Sequence, residues 1–284
     1  MPPKKRNLGT VPSMQSAVKK PKNHFAIVVD SSGSMAHLST SCVRTVNEIL
    51  NAIKDGARTF GQETTVSLYV FSNSVGRVFS RVPAEQVQPF GGYYASGGTA
   101  LFDAVGTALM DFQNAPDALD TDTSFLLMTV TDGEENQSSK FFAPTPYRPY
   151  GNSNYMIGKN IVELMKSLQA TDRYTITFQL PVGYGRKFAS NYGIPEGNIR
   201  EWEQTERGMT EVRDTVTLGT QAYFNARSAG HKSVDSFYVK TDLSNLKKSD
   251  LKKLNDVSNR FKAWTVDKES DVKSFVESHG KKFV

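Results

Sequence analysis

The sequence predicts an α/β fold built on a doubly wound, mostly parallel sheet with helices on both faces. Three observations lead there. Short, almost continuous apolar runs are rich in β-branched residues, segments of helical periodicity separate them, and polar loops follow the runs directly. Runs of that kind read as strands buried on both faces, and parallel neighbours need a crossover that is usually a helix. The composition, 38% hydrophobic and 22% charged over 284 residues, provides enough apolar material for one large domain with extensions or two small ones.

The elements can be taken in order. His24-Phe-Ala-Ile-Val-Val-Asp30 is the first strand, and Val43, Val46, Ile49, Leu50 and Ile53 recur at helical spacing across residues 40–60. Thr65-Val-Ser-Leu-Tyr-Val-Phe71 reads as a second strand and Gly76-Arg-Val-Phe-Ser-Arg-Val82 as a third, at an edge. After the glycine-rich stretch 91–98, Leu101, Ala104, Val105, Ala108 and Leu109 mark another helix. Residues 124–131 form the next strand, as apolar as the first. A loop containing Pro144, Pro146 and Pro149 precedes a helix over 157–169. Strands over 173–180 and 198–202 and a helix over 208–228 complete the alternation. Residues 231–284 read less clearly. Segments 236–239 and 261–266 suit extended structure, and 249–258 and 270–278 suit helices with serine caps. The lysines at 247, 248, 252 and 253 read as a solvated helix face.

Charge separates the N-terminus from the rest. Of the 34 Lys and Arg residues, Lys4, Lys5, Arg6, Lys19, Lys20 and Lys22 lie in residues 1–23, which contain no acid. The other 28 stand against 29 Asp and Glu, so the net charge of +5 belongs to the leader. The expected organisation is a disordered basic arm over 1–23, a folded domain over 24–230 and a C-terminal appendage over 231–284. The folded part's net charge gives no indication of a nucleic-acid groove. The arm supports three readings equally: a bipartite nuclear import signal, a contact for phosphate backbones, or a solubilising tail. No apolar run reaches the ~18–20 residues of a membrane span. No secretory pattern follows Met1-Pro-Pro-Lys-Lys-Arg, and the one cysteine, Cys42, cannot form an internal disulfide. An intracellular location, cytoplasmic or nuclear, and no membrane partner are the expectations.

In doubly wound sheets ligands sit beyond the carboxyl ends of the strands. Three polar motifs fall at such ends or at a helix start: Asp30-Ser-Ser-Gly-Ser34, Gly97-Gly-Thr99 and Asp132-Gly-Glu-Glu135. Together they offer two carboxylates and three hydroxyls and no soft ligand, a donor set suited to magnesium, manganese or calcium. Read singly, each motif is also an ordinary cap or turn.

Asp30-x-Ser32-x-Ser34, Thr99 after two glycines, and Asp132 in Thr-Asp-Gly resemble, in that order, the metal-ion-dependent adhesion site of von Willebrand factor type A (VWA) domains. The resemblance covers residues 24–228. It implies a VWA, Rossmann-like fold in which Ser32, Ser34 and Thr99 supply hydroxyl oxygens to one divalent cation, Mg²⁺ first, with Asp30 and Asp132 completing the shell directly or through water. One position stays open for an Asp or Glu of a protein partner. The family further implies an adaptor or assembly role, sometimes beside AAA+ ATPases, and binding rather than catalysis. The competing class is a nucleic-acid-associated protein that binds through its arm, with the domain as scaffold.

Enzyme motifs are missing from the sequence. Ser32 stands where a haloacid-dehalogenase-type phosphatase needs its second aspartate. There is no Gly-x-Ser-x-Gly elbow and no phosphate loop, and His24, His37, His231 and His279 lack zinc-ligand spacing. Around the motifs, His37 is expected to face solvent or bond locally, and Cys42 to be a buried structural thiol. Glu134 and Glu135 read as charge-tuning or as plain turn acids, and Tyr93 and Tyr94 as a recognition surface or as packing.

Overall fold

A computed structural model describes residues 20–144 and 158–238. Its sheet has six strands: β1 (Lys22–Asp30), β2 (Glu63–Phe71), β3 (Val75–Pro83), β4 (Thr123–Val130), β7 (Tyr174–Pro181) and β8 (Ile199–Trp202). They lie in the order β3-β2-β1-β4-β7-β8. All neighbours run parallel except β3, which is antiparallel to β2. A second, two-stranded parallel pair joins β5 (Phe141–Phe142) to β6 (Lys159–Asn160). The helices are α1 (Ser39–Phe60), α2 (Leu101–Gln113), α3 (Ile161–Gln169), α4 (Gly185–Tyr192) and α5 (Glu206–Ser228).

The period-two alternation of a strand sorts the core into two layers. Phe25, Ile27 and Val29 of β1 pack with α1 and α5, while Ala26 and Val28 pack with α2 and α3. Every residue of β4 and β7 is buried, as strands covered on both faces require. α1 and α5 lie side by side at close range. A β-carbon on Gly56 would sit 2.4 Å from the Phe224 ring, which itself stacks on Phe25 and Phe60. α3 and α5 start on side-chain caps: Asn160 accepts from the amides of Val162 and Glu163, and Thr205 from that of Gly208.

At its amino end the sheet is sewn together by polar groups. Arg227, 4% exposed, donates to Asn23 Oδ1 and to the carbonyls of Lys22, Asp122 and His231. His24 lies between Thr65 (Nδ1 to Oγ1, 2.6 Å) and Asp117 (Nε2 to Oδ1, 2.7 Å). Burial lowers the imidazole's pKa, with help from the charges of Arg81 and Lys22 and against the pull of Asp117. Both contacts suit a neutral ring that accepts from Thr65 and donates to Asp117.

The two edges differ. β8 has four residues. β3 is longer but irregular, with its register breaking between Val66 and Leu68 and again between Leu68 and Tyr69 of its partner strand. Arg81 of β3 takes a left-handed backbone (φ 50°) and donates its amide to Ser67 Oγ.

Several elements depart from the sequence expectations. The first strand starts at Lys22, inside the stretch assigned to the arm, so Lys22 and Asn23 are strand residues. Helix α3 starts at Ile161, after the short β6 pairing, and position 157 lies outside the described residues. Neither α4 nor the β5–β6 pair was expected. Residues 236–238 form no strand; Phe237, 3% exposed, joins the α1/α5 core beside Gly219, and the Tyr238 hydroxyl donates to Thr177. The segments 261–266, 249–258 and 270–278 lie outside the described residues, as do positions 1–19.

Candidate metal centre

The three motifs meet at the carboxyl ends of β1 and β4, the two central strands. Asp30 ends β1 and is fully buried. Its Oδ1 accepts from the Ser32 amide at 2.7 Å and its Oδ2 from Thr131 Oγ1 at 2.5 Å. The Ser32 and Ser34 hydroxyls lie 3.0 Å apart, and Ser34 Oγ donates to Asp132 Oδ1 at 2.8 Å. Asp132 Oδ2 is buried and has no hydrogen-bond partner among the described residues. Thr99 reaches the same cluster. A β-carbon on Gly133 would lie 3.3 Å from Thr99 Oγ1 and 4.0 Å from Asp30 Oδ2, so the bare glycine leaves room where the motifs converge. All five sequence-predicted residues are thus brought together. Four are buried, while Ser34 is exposed and opens the cluster to solvent.

Burial raises the pKa of both carboxyls. At Asp30 the hydrogen bonds from Thr131 and Ser32 oppose the rise; at Asp132 the bond from Ser34 opposes it and the charge of Asp30 adds to it. Among the described residues, no group of three or more His, Cys, Asp or Glu is placed to hold a metal. An ion here would depend on hydroxyls. The residues fit a hard divalent cation: two carboxylates, three hydroxyls, no sulfur or imidazole, and one buried carboxylate oxygen that no other described residue satisfies.

Residues outside the five-residue set hold the loops, and of these Asn73, Asn136, Trp202 and Gln204 are not singled out in the sequence. The Tyr93 hydroxyl donates to Asp30 O at 2.6 Å, Asn73 Oδ1 accepts from Gly98 N, and Asn136 Oδ1 accepts from Thr99 N. Gly97, at φ 77°, accepts from the Gly33 amide, and Ser96 donates to the Ser31 carbonyl. On the far side, Trp202 Nε1 donates to Thr131 O and Gln204 Nε2 to Asp132 O. Gln204 O in turn faces His37 Nε2 at 3.2 Å, and His37 Nδ1 lies 2.8 Å from Ser34 O. Asp132, Gln204, His37 and Ser34 thus lie in a ring of contacts above the sheet, in which a neutral His37 donates to one of its two carbonyl neighbours. No sequence signal pairs positions so far apart.

The remaining candidates separate. His37 is exposed, as expected, and lies against both the nearby Ser34 carbonyl and the distant Gln204 carbonyl. Cys42 is buried, and desolvation pushes its thiol up to about 12. Glu135 caps α2, accepting from Phe102 N, Ser138 N and Ser138 Oγ, while Glu134 is exposed. Tyr93 packs and bonds; Tyr94 is 80% exposed. Of the basic cluster, Lys4, Lys5, Arg6 and Lys19 lie outside the described residues and Lys20 is exposed. Lys22 is an ion-pair partner of Asp120 at 3.3 Å.

Fold and donor set together define a doubly wound α/β domain with an oxygen-lined cluster at its sheet switch point. No family model matches the chain, and no curated protein matches it. Solved structures of similar fold include a von Willebrand factor type A protein from Catenulispora acidiphila, at 16% identity and TM-score 0.44, over 71% of this chain and 43% of that one. The ArnB paralogue VWA2 from Sulfolobus acidocaldarius is similar at 15% identity and TM-score 0.39, over 69% and 44%. Proximal thread matrix protein 1 from the mussel byssus, in a structure with a zinc-occupied MIDAS motif, is similar at 15% identity and TM-score 0.43, over 71% and 46%. The chain spans less than half the length of each of these three.

Proposed function

We propose that this chain is a VWA-type module that recognises a protein partner through one divalent cation held by Asp30, Ser32, Ser34, Thr99 and Asp132. The observation that carries the reading is Asp132. One of its carboxylate oxygens accepts from Ser34, and the other is buried without a partner among the described residues. A buried, unpaired anionic oxygen is costly unless a positive charge or a donor meets it. A cation among these five residues supplies that charge, and oxygen-only donors favour Mg²⁺, with Mn²⁺ and Ca²⁺ sharing the chemistry.

The same geometry suits recognition of a partner. Ser32 N and Thr131 Oγ1 each donate to one Asp30 oxygen, which fixes the carboxylate in place and leaves its remaining lone pairs for the ion. The exposed Ser34 leaves the cluster accessible from solvent. When bound, the ion supplies a partly neutralised positive charge to that opening, which a partner's Asp or Glu can meet directly. An adaptor or assembly role follows from such recognition.

Calorimetric titration with Mg²⁺ and Mn²⁺ tests the proposal. The native chain should take up one ion. Thr99→Ala should fold normally and lose at least the roughly tenfold in affinity that even outer-shell substitutions cost. No heat of uptake for either ion at millimolar concentration overturns the reading.

A further inference from the structure

The large apolar side chains left exposed are unevenly distributed. Among the described residues they are Val78, Tyr94, Leu119, Val182, Tyr184 and Leu218. Three of them stand at the carboxyl end of the sheet. Tyr94, 80% exposed, sits in the loop whose Ser96 and Gly97 bond to Ser31 and Gly33, on the β2 side of the cluster. Its neighbour Tyr93 turns inward to Asp30, so the chain direction there presents Tyr94 outward. Val182, 61% exposed, and Tyr184, 41% exposed, follow β7 on the opposite side. The Val182 amide donates to Trp202 O, and Trp202 Nε1 donates to Thr131 O beside Asp132. The metal loops after β1 and β4 therefore lie between two exposed apolar groups, with β7 one strand away from β4.

From this placement we infer that the partner is a protein segment whose acidic residue is flanked on both sides by aliphatic or aromatic side chains, and not a free small carboxylate. The inference rests on the metal-dependent reading above. Its second component is the apolar rim, which a lone carboxylate leaves wet. Strands lie about 4.8 Å apart and an extended segment advances about 3.3 Å per residue, so residues about two or three positions from the acid reach the rim. The charge of the ion selects the acid, and Tyr94 with Val182 and Tyr184 selects what surrounds it. Exposed aromatic anchors beside a desolvated charge are the usual makings of a hot spot.

The test uses the full chain in Mg²⁺ and synthetic peptides carrying one central Asp, with Leu, Tyr, Ser or Lys at the neighbouring positions; acetate serves as the small-carboxylate probe. Peptides with Leu or Tyr flanks should bind at least about tenfold more tightly than the Ser-flanked peptide. Tyr94→Ser and Val182→Ser should each remove most of that advantage, while Leu119→Ser and Leu218→Ser, exposed elsewhere, should leave it intact. Binding that needs Mg²⁺ but ignores the flanks overturns the rim inference and keeps the metal reading. Flank-dependent binding that survives EDTA keeps the rim and overturns the metal reading. Acetate competing as well as the best peptide, or no peptide binding at all, overturns the inference.

Discussion

Replacing Asp132 with alanine separates the cost of the site from its use. Without an ion, two effects oppose each other. The variant loses the Ser34 hydrogen bond to a charged acceptor, about 1.5–3 kcal/mol, and removes a buried oxygen that lacks a partner, which relieves about 1–3 kcal/mol. The two nearly cancel, so in EDTA the stability of Asp132→Ala should stay within about 1–2 kcal/mol of the native chain. With an ion the balance differs. At a hundred times its dissociation constant a ligand of the native state adds about 2.7 kcal/mol. For a domain of this size that corresponds to roughly 5–10 °C in Tm. Thermal melts with increasing Mg²⁺ should show this rise in the native chain and none in Asp132→Ala. An Asp132→Ala protein that keeps the Mg²⁺-dependent rise, or that loses about 4 kcal/mol or more in EDTA, refutes the reasoning. The first result means that the carboxylate does not hold the ion; the second means that its bond to Ser34 is a main structural tie.

Further outcomes follow from the packing. Because burial lowers the His24 pKa below its ordinary value of 6.5, the unfolded chain binds the proton more readily than the folded one. Stability should therefore be full above that value and fall as the pH drops from it towards the lowered native pKa. Urea melts of native and His24→Gln chains across this range should show the slope in the native chain only. Gly56→Ala drives a methyl into the Phe224 ring and should cost about 1–3 kcal/mol, measured by chemical denaturation. A smaller loss means that α5 shifts away from α1 cheaply. Buried Asp103 accepts from the amides of Ser139, Lys140 and Phe141, so Asp103→Ala should cost about 3–5 kcal/mol, and hydrogen exchange of those three amides should quicken first.

Much of this architecture is legible in the sequence because central parallel strands leave a plain trace. In β1 and β4, burial on both faces demands an unbroken central apolar run, residues 25–29 and 125–128, and the polar loop after each strand marks its carboxyl end. The five residues that meet at the carboxyl ends of β1 and β4 are also legible, since each lies in a short motif at a strand end or helix start. What stays hidden is what depends on side chains meeting across long separations. Glu135 looks like a turn acid until Phe102 N is found against it. Gln204 and His37 carry no pattern that links them to Asp132 and Ser34. The octapeptide of α4 is too short and polar to show a stripe, although Phe188 packs on Phe178. Lys22 misleads for a different reason. Clustered lysines and a nearby proline suit an arm, yet Asp120 and the start of β1 claim this residue.

The two margins of the sheet bear on whether copies of this chain can join edge to edge. A regular bare strand is an open template on which a second molecule can continue hydrogen bonding. Here one margin offers four residues, and the other is kinked twice, carries Arg77 and Arg81 and ends at Pro83. Neither margin therefore offers a long regular template on which a second copy could extend the sheet.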